Sequence, residues 1–239
     1  MNLRRSFRKR LAWLTWPTGH GVVRREGALF LLNMRNWVDK ITVTDGVMER
    51  QQIAYFIDQV TRRQCDTFLD VGANMGTYSV FVALRTNCQT IVAFEPDPRS
   101  FDHLRANALL NRLSHKIDAR PLAASSANGA LAFVFGQSNH DALSRVGESP
   151  DAHRVKCVRL DDELPQLRGR NVAIKMDIEE HECEAIRGMT ELLAHNRCFL
   201  QVECFDKNLP ALRRMLEPLG YTLTHAIGVD RYFTSNRDG

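Results

Sequence analysis

The sequence predicts an α/β fold: a doubly wound, mostly parallel sheet, closed at one edge by an antiparallel strand pair and preceded by a β/helix extension. Three observations predict it. From Phe68 onward, short apolar runs alternate with helical stretches in βαβαβ order, the pattern of a parallel sheet with helices on both faces and right-handed crossovers. The stretch Asp70-Val71-Gly72-Ala73-Asn74-Met75-Gly76 lies between the apolar run Thr67-Phe68-Leu69 and the apolar-rich run from Thr77 to Leu84, and reads as strand, glycine turn and helix. Near the C-terminus, runs at Tyr221 to His225 and Arg231 to Thr234 flank Gly228, as a closing antiparallel pair does.

Taken in order, residues 1–20 form a basic appendage and residues 21–64 an extension packed on the core. Val22-Val23, Ala28 to Leu32 and Ile41-Thr42-Val43 read as short strands punctuated by Gly27 and Asp45-Gly46. Val47 to Arg63 carries Ile53, Phe56, Ile57 and Val60 at helical spacing, an amphipathic helix with Glu49 placed at its start to favour the helix dipole. The main domain, 65–239, then runs through strands at Phe68 to Val71 and Thr90 to Phe94, a helix from Pro98 through Asn111 and a strand at Ile117 to Arg120. The rhythm stops at about 124–160, where Ala130 to Phe135 and Val155 to Val158 flank a polar loop, an inserted hairpin of the kind that serves as a lid. It resumes with the strand Val172 to Asp177, a helix from Glu182 to Ala194, the strand Cys198 to Cys204 and a helix from Leu209 to Leu219.

The 239 residues suit one sizeable domain rather than two, and 44% hydrophobic with 25% charged residues excludes disorder. The net charge of +4 is confined to one place: Arg4, Arg5, Arg8, Lys9 and Arg10 supply five positive charges in the first ten residues, so the rest is close to neutral. Followed by Trp13 and Trp16, this tail is a candidate for peripheral membrane contact, while the run from Leu11 to Pro17 is too short for a signal peptide or a membrane span. Six cysteines without ligand spacing read as small buried hydrophobes of a cytoplasmic protein.

The glycine turn departs from the dinucleotide fingerprint GxGxxG: it lacks the middle glycine that lets a pyrophosphate approach, and the strand before it ends in Asp70. Glu95, 23 residues after Gly72 and at the end of the next strand, is placed to accept both hydroxyls of a ribose, or else to cap the Pro96-Asp97-Pro98 turn. A nucleoside ligand without a pyrophosphate fits both features.

The segments FLDVGANMGTYSV, AFEPDPRSFDHLRAN, PLAAS and AIKMDIEEHECEAIRGM, about half the chain and in order, resemble the FkbM-type S-adenosylmethionine-dependent methyltransferases. The resemblance implies a class I methyltransferase (Rossmann-like) fold and O-methylation of a sugar, glycan or natural-product hydroxyl. It also implies that Asp70, Gly72, Ala73, Asn74 and Gly76 form the methionine side of the cofactor site, with Glu95 at the ribose and Leu122-Ala123 along the adenine. Asn107 belongs to the family pattern too, with a structural role at a helix end as the alternative.

Lys175 to Glu182 is the densest ionisable cluster and falls at the carboxyl end of a strand, where ligands of open α/β sheets bind. A hydroxyl acceptor needs deprotonation, by a base or a bound cation. Asp177, Glu179 and His181 are the catalytic candidates, and Asp177 with Glu203 the candidate ligands for an Mg²⁺-like ion. Glu180 and Glu182 are read as favouring the following helix. Glu180 stands where the family has glycine, which puts the acceptor geometry in question and motivates a non-catalytic cofactor-binding protein as the alternative. Methylation of nucleic acid is the weaker alternative, because no DPPY-like run is present and an acidic mouth repels phosphate. His140 and His225 are not assigned a role.

Overall fold

The computed structural model describes residues 11, 14–16, 18–135, 145–147 and 152–236. The basic tail, Trp13, His140 and most of the polar loop lie outside the described residues.

The extension opens with a hairpin of β1 (His20–Arg25) and β2 (Ala28–Asn33), joined through Glu26 and Gly27, both at positive φ as a two-residue turn requires. Alternation along β2 turns Ala28, Phe30 and Leu32 into the core. The strand expected at Ile41 to Val43 is instead part of a helix, α1 (Trp37–Thr44). β-Branched residues favour strands only weakly, and here a local cap wins: Asn36 Oδ1 accepts from the Asp39 amide at 3.2 Å. The Thr42 and Thr44 hydroxyls meanwhile donate back to the Val38 and Lys40 carbonyls. Helix α2 (Arg50–Arg62) buries Ile53, Phe56 and Val60, the predicted face.

The core follows as β3 (Thr67–Val71), α3 (Thr77–Arg85), β4 (Thr90–Phe94), α4 (Pro98–Leu110) and β5 (Ile117–Arg120). Asn107 of α4 is wholly buried and structural: its Oδ1 accepts from the Leu31 amide at 2.7 Å and its Nδ2 donates to the Met75 carbonyl at 2.8 Å, tying the hairpin to the glycine turn.

The insertion is a four-stranded sheet of its own, ordered β6 (Ala123–Ala124), β9 (His153–Val158), β7 (Gly129–Val134) and β8 (Arg145–Val146). After the short helix α5 (Leu160–Glu163) come β10 (Asn171–Met176) and then two helices, α6 (Glu182–Arg187) and α7 (Thr190–His195), where one was predicted. The break has a tertiary cause. A Cβ on Gly188 would lie 1.9 Å from the Ser125 carbonyl oxygen, and the Asp161 carboxylate accepts from the Glu191 and Leu192 amides to start the second helix. The chain ends with β11 (Arg197–Glu203), α8 (Leu209–Leu216), a 3₁₀ turn, β12 (Tyr221–Ile227) and β13 (Asp230–Ser235).

The main sheet has the order β12-β13-β11-β10-β3-β4-β5, parallel except for β13 and β12. Side chains alternate between two cores. Phe68, Ala173 and Phe199 face the layer that holds the extension, α2, α3 and α4, whereas Leu69, Ile174, Met176, Leu200 and Val202 face α6, α7 and α8. Each of these large side chains contributes about 1.5–3 kcal/mol by leaving water. Among the described residues, no helix is long and apolar enough to cross a membrane.

Candidate active site

A cavity of about 340 Å³ opens at the carboxyl ends of β3, β4, β10 and β11. Of the predicted cofactor residues, Gly72, Ala73, Asn74, Glu95 and Ala123 line it, as does Leu122. The amides of Gly72 and Ala73 both donate to the Phe94 carbonyl at 3.0 Å, which locks the turn to β4. Gly72 has φ +79°, and a Cβ there would lie 1.9 Å from the Asp177 carbonyl oxygen. Its lack of a side chain therefore lets β3 and β10 close together at the floor of the cavity.

Glu95 caps the turn after β4 with one oxygen and holds the glycine turn with the other. Its Oε1 accepts from the Asp97 amide at 2.8 Å, capping the turn, and its Oε2 accepts from the Asn74 amide at 2.7 Å. Burial pushes this carboxyl up to about 7 against the pull of those two amides. Each oxygen keeps a lone pair for a ligand.

Two expected contacts are corrected by the structure. Asp70 does not line the cavity: its Oδ2 accepts from the Ser79 amide at 3.0 Å and hydroxyl at 2.6 Å, so the buried carboxyl anchors the first turn of α3. Gly76 also stands back from the wall. At φ +82° it packs on Leu104, whose Cδ1 would lie 2.4 Å from an added Cβ.

Across the cavity, Asp177, Glu179, His181 and Glu203 all reach the lining. Lys175, the only charged residue in an otherwise apolar buried run, organises them. Its Nζ lies 2.9 Å from Asp177 Oδ2 and 5.2 Å from the centroid of the Tyr78 ring. Burial works against its charge, but Asp177, Glu49 and Asp70 overcome that and hold the ammonium charged. Asp177 in turn stays below the usual carboxylate range, because Lys175 outweighs the cost of its burial. Glu203 is pushed up to about 9 by burial and then by the Asp177 charge, so that it keeps its proton and donates it to Asp177. Glu179 rises to about 7 by burial and by the neighbouring charges of Asp177 and Glu182. The carboxylate oxygens of Asp177, Glu179 and Glu203 lie within 4.8 Å of one another.

His181 is held near neutrality of charge by burial, with Nε2 3.0 Å from Ser125 Oγ. Glu182 Oε1 accepts from the Ile178 and Glu180 amides at 3.3 and 3.1 Å, so it shapes the loop, as expected of a residue at the helix start. Glu180 points to solvent and pairs with Lys207 at 2.7 Å.

Among the ionisable lining residues, sequence reasoning assigned no site role to three: Lys175, Tyr78 and Glu49. A lysine within the apolar run from Val172 to Met176 was the available signal for the first. The other two, like the apolar wall of Phe30, Val47, Met48 and Ile53 contributed by the extension, are brought in only by folding. His225 lies outside the lining, stacked beside Tyr55 with ring centroids 4.5 Å apart.

The family profile described as "Methyltransferase FkbM domain" matches residues 70–223, which spans the glycine turn, Glu95, the Asp177 loop and β11. The chain belongs to the FkbM methyltransferase family. It is 29% identical over 130 residues to the hexuronic acid methyltransferase AglP of Haloferax volcanii, covering 54% of this chain and 52% of that protein. It is 37% identical over 98 residues to the 31-O-demethyl-FK506 methyltransferase FkbM of Streptomyces tacrolimicus, covering 41% and 36%. The chain thus spans about half, or less, of the length of these relatives. Among solved structures, it is similar in fold to a methyltransferase FkbM from Methylobacillus flagellatus, with a TM-score of 0.51 at 17% identity, over 71% of this chain and 43% of that one. M. jannaschii TYW2 in complex with AdoMet gives 0.50 at 15% identity, over 91% and 87%.

Within this FkbM domain, the loop that differs from the family pattern keeps a backbone suited to glycine. Glu179 and Glu180 have φ +56° and +70°. Glu180→Gly is therefore expected to fold and to melt no lower than the parent, whereas Glu180→Val, β-branched in a left-handed position, melts several degrees lower in a thermal scan.

Proposed function

We propose that this FkbM-family chain is an S-adenosylmethionine-dependent methyltransferase that methylates a hydroxyl group. The observation that carries the reading is the pairing, in one cavity, of Glu95 beside the Gly72 turn with a carboxyl cluster opposite it. When bound, S-adenosylmethionine supplies a methyl group on a positively charged sulfur, already activated for in-line displacement, and departs as a neutral thioether. Glu95 would hold the two ribose hydroxyls, Gly72 to Asn74 would flank the methionine part, and Leu122 and Ala123 would border the adenine.

The remaining requirement is removal of the acceptor's proton, and the three candidates separate by their surroundings. Asp177 is committed to Lys175 and to the Glu203 proton, which makes it a weak base and a positioning residue. His181 is tied to Ser125. Glu179 faces the cavity with an affinity for protons near neutrality, the range in which a base both exists ionised and accepts a proton well. Glu179 would take the acceptor's proton, which the acceptor must lose to be methylated. An alternative assistance is favoured by the clustering of Asp177, Glu179 and Glu203, whose oxygens offer a donor set for a hard divalent cation.

Calorimetry of the full chain with S-adenosylmethionine is expected to show one site, and absence of binding would refute the proposal. Transfer of labelled methyl to a hydroxyl in an acceptor screen tests the second half. Turnover unaffected by EDTA assigns the proton to a side chain, with Glu179→Gln testing which; turnover lost to EDTA and restored by Mg²⁺ assigns the cluster to a cation.

A further inference from the structure

Glu49 breaks two local rules. It occupies the N-cap of α2, a position that favours Ser, Thr, Asp, Asn or Gly, yet makes no side-chain capping bond. It also adopts φ +55°, a left-handed conformation uncommon for a residue other than glycine. Departures of this kind collect where a side chain is held for function. Glu49 lies on the lining of the cavity.

What it meets there is the acidic side of the site. Tyr78, on the same lining, accepts at its OH from Gln201 Nε2 at 2.8 Å, and burial raises the Glu49 carboxyl against the pull of Lys175 and Tyr78. Lys175 and Asp177 are close enough to act on its charge. Glu49, Asp177 and Glu179 thus share the cavity lining with Glu203, which keeps its proton, and with one ammonium, Lys175, which is already engaged by Asp177. Glu49 comes from the extension, ahead of residues 70–223 that match the family.

Resting on the methyltransferase reading, we propose that Glu49 is a specificity-determining residue that makes the acceptor half a site for an uncharged or cationic polyol and turns away acceptors bearing a carboxylate. The physical reason is that carboxylates accept hydrogen bonds from hydroxyl and ammonium groups, whereas a like charge brought against them is disfavoured.

The test uses the full chain loaded with S-adenosylhomocysteine, whose binding is measured first by calorimetry. Absence of that binding would sink the cofactor reading itself. The loaded protein is then titrated with glucosamine, methyl glucoside and glucuronate, followed by ligand-observed NMR. Glucosamine and methyl glucoside are expected to bind, with glucuronate weaker by about tenfold, a modest like-charge penalty. Glu49→Gln, and Glu49→Gly, which suits the left-handed backbone and so protects folding, are each expected to bring glucuronate within about twofold of methyl glucoside. Equal binding of the three sugars by the parent, no binding of any of them, or a preference unchanged in both folded variants overturns the proposal while leaving cofactor binding standing.

Discussion

Glu179→Gln is expected to lower turnover by about a hundredfold to ten-thousandfold, the usual contribution of a positioned base. The amide keeps the shape and polarity of the side chain at a backbone position whose φ is +56°, so the loop between β10 and α6 is retained. Cofactor affinity should stay within about twofold, since Glu95 and the Gly72 turn lie on the other wall. Single-turnover kinetics with labelled cofactor and calorimetry separate the two readouts. Loss of cofactor binding with loss of turnover would show that Glu179 serves the cofactor and not the acceptor. Unchanged turnover would remove it as the base and leave Asp177 or a cation to be tested.

Glu95→Ala is expected to weaken S-adenosylmethionine binding by about a hundredfold, because two hydrogen bonds to a charged acceptor are lost at about 1.5–3 kcal/mol each, partly offset by water entering the space. The same substitution leaves the Asn74 and Asp97 amides without their acceptor, so the turn itself loosens. The pH dependence provides a signature that mere loosening does not. In the free protein the Glu95 carboxyl is pushed up to about 7 by burial, and under the proposed function the hydroxyls of a ribose would bind its ionised form. Affinity is then flat above about pH 7 and falls with decreasing pH, approaching tenfold per unit as the proton must first be displaced. Glu95→Gln, which cannot ionise, should be weaker but flat over the same range. A parent affinity that does not change between pH 5 and pH 8 would exclude Glu95 as a titrating ligand group.

These expectations connect two halves of the site that were unequally legible. The turn at Gly72, the carboxylate at Glu95 and the cluster from Asp177 to His181 sit at strand ends, and strand ends of a parallel sheet converge on one edge whatever the details of packing. Their presence around one cavity therefore followed from order along the chain. Asp70 and Gly76 were misplaced for a reason equally general: a motif records every residue the turn needs, including those that hold the following helix and the strand behind it. Here Ser79 and Leu104 are the partners that claim them.

Asp177, Glu179 and His181 were not separable from their types or spacing. What distinguishes them is partners: Lys175 and Glu203 for Asp177, Ser125 for His181, and a half-buried position among like charges for Glu179. Proton affinity depends on desolvation and on charges a few ångströms away, and neither is a property of a residue alone.

The amino-acid sequence by itself determined the alternation of strands and helices, the closing antiparallel pair, the glycine turn and the family, because these rest on short-range periodicity and on residues adjacent in the chain. Only the tertiary structure decided that Gly188 divides one helix into two and that Glu49, Tyr78 and Lys175 enter the site, whereas the helix over Ile41 to Val43 follows from the local Asn36 cap. The first two outcomes are set by contacts between distant segments: Gly188 against Ser125, and the cavity that gathers Glu49, Tyr78 and Lys175 from separate elements. Such contacts are worth as much as local propensity or more, and they have no trace in the spacing of neighbouring residues.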